Sequence, residues 1–158
     1  MSGWRDSLAS AAASGTAAGV LSAATMVAMG KLDCNNAVGP LNGPSQWLWG
    51  ERGARETHLT LRNTLPGIII HQLTSIMWAA IHHRTFGRDA QDSSIPAQLL
   101  GGAASAVTAY VVDYAFTPKR FQPGFAKHLS ARGMFATYAA FGVGLALCGV
   151  VATLRRRQ

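Results

Sequence analysis

At 158 residues the chain is long enough for one ordinary domain, and no shift in composition marks a second. Hydrophobic residues make up 49% and charged residues only 13%, about half the charged share of a water-soluble domain, with a mean hydropathy of +0.16. The net charge is +7 and the pI near 10.3, yet no nucleic-acid-binding motif accompanies the Lys and Arg residues, which sit in loops and at the ends of apolar runs; lipid headgroups, not nucleic acid, are the counterpart this pattern implies.

Charges are spread unevenly, and the uneven spread defines the elements. Four stretches are nearly charge-free: Ser7 to Gly30, Leu65 to Ile81, Ile95 to Thr117 with only Asp113 inside it, and Gly133 to Leu154. Each is roughly 17 to 24 residues, enough at about 1.5 Å rise per residue to span a hydrocarbon core of about 30 Å. A soluble Ala-rich bundle would need a polar stripe on every helix, and these runs have none over about five turns. The predicted fold is therefore all-α: one polytopic membrane domain over residues 1–158, with four transmembrane helices at about 7–30, 65–83, 95–117 and 132–154 in a compact bundle.

In the first helix Arg5 is offset by Asp6, and the apolar run exceeds the about 7 to 15 residues of a signal-peptide core, so the segment is expected to be retained. Ala11, Gly15, Gly19 and Ala23 recur at four-residue spacing and suit close helix contact. The loop that follows, Lys31 to Thr64, holds Gly39, Pro40, Gly43 and Pro44 and then Ser45-Gln46-Trp47-Leu48-Trp49-Gly50. A short interfacial or re-entrant segment is expected there, with Trp47 and Trp49 as interface anchors. Pro66 fits the first turn of the second helix, and His82 and His83 are expected to end that helix in reach of solvent.

Four spans place the N-terminus, the His82–Ser94 loop and the C-terminus on one side, A, and the loops Lys31–Thr64 and Pro118–Arg132 on the other, B. Side A carries Arg5, Arg84, Arg88, Arg155, Arg156 and Arg157, against the remaining eight of the 14 basic residues on side B, so charge does not choose an orientation. The third helix repeats small residues at Gly102, Ala106 and Ala109, and the fourth at Ala140, Gly144 and Cys148. Cys34 and Cys148 fall on opposite sides, far beyond the about 6 Å between Cα atoms that a disulfide spans. Lys119, Arg120, Lys127 and Arg132 in the third loop have no acidic residue among them, which points to anionic headgroups or an acidic partner surface.

The feature with chemical content is Asp113, since an ionisable group inside a span is costly and seldom left alone. Counting along the helices puts His71 at the same depth, about one turn or more below side B. A His71–Asp113 pair is expected, imidazole donating to carboxylate, with Ser75, Thr137, Tyr138 and Met26 as supporting groups in the same layer. The pair reads equally as structural glue between helices or as a proton path. A metal site would have to recruit His128 or Met26 without any recognised spacing, and haem lacks a second histidine at that depth, so no cofactor and no metal are expected. The nucleophile elbow, the Walker A loop, the dinucleotide fingerprint and His-Glu-x-x-His are all missing from the sequence, which argues against an enzyme.

At Ser45-Gln46-Trp47-Leu48-Trp49-Gly50, at Pro66-Gly67 followed by His71, and at Asp113-Tyr114 leading to Pro118-Lys119-Arg120 and Pro123-Gly124-Phe125, the chain resembles small uncharacterised bacterial inner-membrane proteins of the YagU kind. The resemblance covers roughly half the chain. It implies a multi-pass protein of a bacterial inner membrane and brings no assigned site. The function expected from short length and small-residue seams is a non-enzymatic accessory or structural subunit, or an assembly factor, bound to a larger membrane complex or to itself. The alternative is a proton- or ion-linked conduit or pH sensor at His71 and Asp113, with a metal or haem site last.

Overall fold

The computed structural model describes residues 3–86 and 94–156, with the side chains of 3–8 and 156 excepted. Of the side-A arginines, Arg88 and Arg157 lie outside the described residues. The chain runs α1 (Gly3–Cys34), α2 (Gly39–Asn42), a short 3-10 turn (Gly43–Ser45), α3 (Gln46–Trp49), α4 (Glu51–Ala54), α5 (Thr64–Phe86), α6 (Ile95–Val111), a π turn (Val112–Phe116), two more 3-10 turns, and α7 (Ala131–Arg156). Four helical segments are long and apolar enough to cross a membrane: Ala9–Cys34, Thr64–Phe86, Ile95–Phe116 and Ala131–Arg155.

The distribution of side chains is that of a protein dissolved in lipid. Ser14, Ser22, Ser75, Ser105 and Thr137 are buried, while Leu100 and Phe135 are 72% and 77% exposed, and Leu73 and Val107 also face outward. In water this would be an inverted core. In a bilayer it is the expected arrangement, because lipid solvates the aliphatic exterior and the interior satisfies its own polar groups. Several buried hydroxyls do so locally: Ser22 donates to the Ala18 carbonyl at 2.7 Å and Thr137 to that of Gly133 at 2.9 Å.

Helix order around the bundle positions everything else. α1 packs against both α5 and α7, α7 packs also against α6, and among these neighbouring pairs α5 and α6 touch least. Close approach is made by small residues. A Cβ on Gly142 would stand 2.9 Å from the Gly102 carbonyl oxygen, so α6 and α7 meet backbone to backbone. The apolar middle is filled by Ala18, Trp78, Ala79, Ala106, Phe141 and Leu145.

Two boundary readings change. α1 continues one turn past Gly30 to Cys34, its Asp33 accepting from the Ser130 backbone N–H at 2.8 Å. α5 runs on to Phe86, so His82 is not a solvated helix end: it is buried, and its Nδ1 lies 2.9 Å from Ser105 Oγ on α6. His83 likewise reaches inward, with Nε2 at 2.8 Å from Ser14 Oγ on α1. Pro66 stands in the first turn of α5, where its missing N–H costs nothing.

Candidate functional site

On side B the first and third loops clasp each other and roof the bundle. The Trp47 indole N–H donates to the Phe121 carbonyl at 2.7 Å, and its ring meets the Phe121 ring edge-on at 5.9 Å. Gln46, buried, donates to the carbonyls of Lys119 and Gln122. Arg120 donates to the Leu48 carbonyl at 3.0 Å. Trp49 donates to the Arg62 carbonyl at 2.8 Å, and the Arg62 guanidinium stacks over its ring at 4.8 Å. Both tryptophans remain partly exposed at the rim of the roof.

Two of the basic residues of the third loop, Lys127 and Arg132, find acidic neighbours on other elements. Loop one brings Glu51 to Lys127 at 3.0 Å, and α1 brings Asp33 close to Arg132, contacts across about 75 and 100 residues that local sequence does not display. Lys127 beside Glu51 holds its carboxyl below the usual range. With a lowered folded value, the ion pair contributes fully at neutral pH, and its contribution is lost as pH falls through the carboxylate range. Because Glu51 is exposed, Glu51→Gln is expected to leave the unfolding midpoint within error at pH 7 in high salt; a loss that survives high salt would show a less solvated pair than this one.

Beneath the roof is a cavity of about 240 Å³. Its walls come from all four spanning helices: Ser22 of α1, His71, Thr74, Ser75 and Trp78 of α5, Asp113 of the π turn, and Thr137, Tyr138 and Phe141 of α7, closed above by Trp47, Phe121 and Phe125. Met77, half exposed, also lines it. That residue lies roughly 20 Å along α5 from Thr64 at 1.5 Å per residue, at hydrocarbon depth. α5 and α6 converge near the other end of the bundle, where His82 meets Ser105 and Phe86 covers Gly101. The half-exposed Met77 side chain thus brings one edge of the cavity lining to the outer face of α5.

His71 and Asp113 line this cavity together but do not bond to each other. The expected imidazole–carboxylate hydrogen bond is replaced by two separate ones. His71 Nε2 lies 3.0 Å from Ser22 Oγ and 3.2 Å from the Gly19 carbonyl oxygen. A carbonyl can only accept, so Nε2 carries the proton. Asp113 accepts from the Tyr138 hydroxyl at 2.6 Å. Helix order explains the exchange of partners: α5 neighbours α1 and α6 neighbours α7, so each polar group meets the helix beside it.

The supporting residues divide. Ser75, Thr137 and Tyr138 line the cavity, whereas Met26 is fully buried against Phe125 and Leu129 and borders only a smaller void of about 90 Å³. His128, the other residue considered for a metal, donates from Nε2 to the Ala54 carbonyl at 2.6 Å. No cluster of three His, Cys, Asp or Glu side chains converges among the described residues. Sequence reasoning places Trp78 on the His71 face of the second helix but misses Phe141 and Phe125, which complete the aromatic wall, and the π turn itself. The turn is held by Thr117, whose N–H and hydroxyl both donate to the Val112 carbonyl at 2.9 Å, just before Pro118 stops the helix. A π turn widens the helix by one residue and commonly accompanies a site. Comparison with family models, with curated proteins and with solved structures finds no match to this chain, so its site is read from its own geometry.

Proposed function

We propose that the chain is a non-enzymatic accessory protein of a bacterial inner membrane that works by holding a small lipophilic molecule in its side-B cavity. The observation that carries this reading is the cavity itself: walled by all four spanning helices, roofed by two interlocked loops and lined at hydrocarbon depth by half-exposed Met77. Its volume of about 240 Å³ stands just below the about 300–1,000 Å³ of ordinary small-molecule sites. The bacterial inner membrane is the setting that the Trp47 to Gly50, His71 and Asp113 to Phe125 motifs suggest, and assembly with a larger complex or with itself is compatible with holding a ligand.

An ion path receives less support from the same geometry. Between the His71 and Asp113 layer and the His82–Ser105 and His83–Ser14 layer lies the mainly apolar cluster of Ala18, Trp78, Ala79, Ala106 and Leu145, with Gln72 bonded to the Gly15 carbonyl at the α1–α5 seam. Native mass spectrometry of the protein released from its own membrane tests the binding reading. One small molecule per chain is expected, and Thr74→Trp, which fills the cavity, is expected to remove it. A wild-type protein that carries only a stoichiometric protein partner and no small molecule contradicts the reading.

A further inference from the structure

Resting on the binding reading above, we infer that the cavity selects a small lipophilic organic monocation, an amine or quaternary ammonium on an apolar body, with Asp113 as its counter-charge and the surrounding rings as its cage. Asp113 is the only carboxylate lining the cavity, and its partner is the neutral Tyr138 hydroxyl. Among the described residues no Lys or Arg forms an ion pair with it. Arg120, in the roof, is engaged with the Leu48 carbonyl at 3.0 Å. His71, the one lining side chain that could itself carry a positive charge, is committed through Nε2 to Ser22 and Gly19 on α1.

A carboxylate at this depth without a cation is costly, and a ligand that supplies one positive charge removes the cost. The rest of the lining is suited to the same class. Trp47, Trp78, Phe121, Phe125, Tyr138 and Phe141 line the same cavity as Asp113 with six aromatic rings. Aromatic faces attract ammonium groups electrostatically, and enclosure by several of them is the recurring solution for quaternary ammonium recognition. An inorganic cation fits poorly, because Ca²⁺ takes six to eight oxygen ligands and Mg²⁺ an octahedron. An anionic amphiphile such as a fatty acid would place a second negative charge beside Asp113.

The test uses two probes of one shape, benzyltrimethylammonium and its neutral carbon analogue neopentylbenzene, added to the full chain in an uncharged maltoside detergent. Binding is read from the fluorescence of Trp47 and Trp78 and by calorimetry. The wild type is expected to bind the cation at least tenfold more tightly than the neutral probe. Asp113→Asn is expected to bind the neutral probe as the wild type does and to lose at least tenfold in affinity for the cation, with Asp113→Glu restoring part of it. Equal affinity of the wild type for both probes overturns the charge selection while leaving the cavity a binding site. Binding of neither probe overturns both readings, and the wild-type comparison stands even if a substituted chain fails to fold.

Discussion

Gly144→Ala is expected to destabilise the bundle by about 1–3 kcal/mol, the usual cost of inserting one methyl where packing leaves no room. Gly144 lies on α7 opposite Ala18 of α1, and a Cβ there would strike the Ala18 Cα and stand 2.7 Å from the Ala18 nitrogen. Those are backbone atoms, which cannot swing aside, so relief requires the two helices to separate along their whole contact. Ala18 and Leu145 are fully buried at this crossing, and the separation would break the mainly apolar cluster beneath the cavity. Without a hydrophobic force between helices in lipid, close packing of this kind supplies much of the association energy. Val143→Leu, one residue away but facing outward, is the control and is expected to shift stability by less than about 0.5 kcal/mol. Unfolding in mixed maltoside and dodecyl sulfate micelles measures both, and equal midpoints for Gly144→Ala and the wild type would show that α1 and α7 do not cross here.

The second large effect is expected in the roof. Asn42 is fully buried, donates from Nδ2 to the carbonyls of Glu56 at 2.8 Å and His58 at 3.0 Å, and accepts from the Thr64 hydroxyl at 2.7 Å. It ties α2 to the segment between α4 and α5 and to the first residue of α5. Asn42→Leu keeps the number of side-chain heavy atoms, adds bulk at a fully buried position, and takes the donor from two carbonyls and the acceptor from the Thr64 hydroxyl, which keeps only the Thr60 N–H, at about 1–3 kcal/mol for each buried group left unsatisfied. A loss of about 3 kcal/mol is expected, together with early tryptic cleavage at Arg52, Arg55 or Arg62 while the spanning helices stay intact. Wild-type resistance to trypsin in Asn42→Leu would mean that the roof is held by the Trp47 and Gln46 contacts alone.

Depth was legible in the sequence and direction was not. The rise per residue places His71, Asp113, Thr137 and Tyr138 in one layer, because charge-free runs locate the helix ends well enough to count inward from them. Which of these groups touch depends on the order of helices around the bundle, and that order is set by contacts such as Gly144 with Ala18 and Gly102 with Gly142. The small-residue spacing announces that close contacts exist without naming the partner. With α1 between α5 and α7, His71 meets Ser22, and Asp113 is left to Tyr138.

The roof shows the same limit from another side. Lys127 looked unpaired because Glu51 lies in a different loop, and the bond from Trp47 to the Phe121 backbone carbonyl leaves no mark on the sequence. His82 was misread for a simpler reason: α5 runs one further turn, and Ser105 receives the ring that solvent was expected to cover.

A single labelling experiment tests most directly whether the cavity is a site reached from the bilayer. Thr74, on its wall, is replaced by cysteine in a chain carrying Cys34→Ser and Cys148→Ala. In sealed membranes the Thr74→Cys thiol is expected to react with an apolar maleimide and to resist a charged, membrane-impermeant one from either side. Rapid reaction with the charged reagent from side B would show a water-filled vestibule instead, and would return the His71 and Asp113 layer to the ion-path reading.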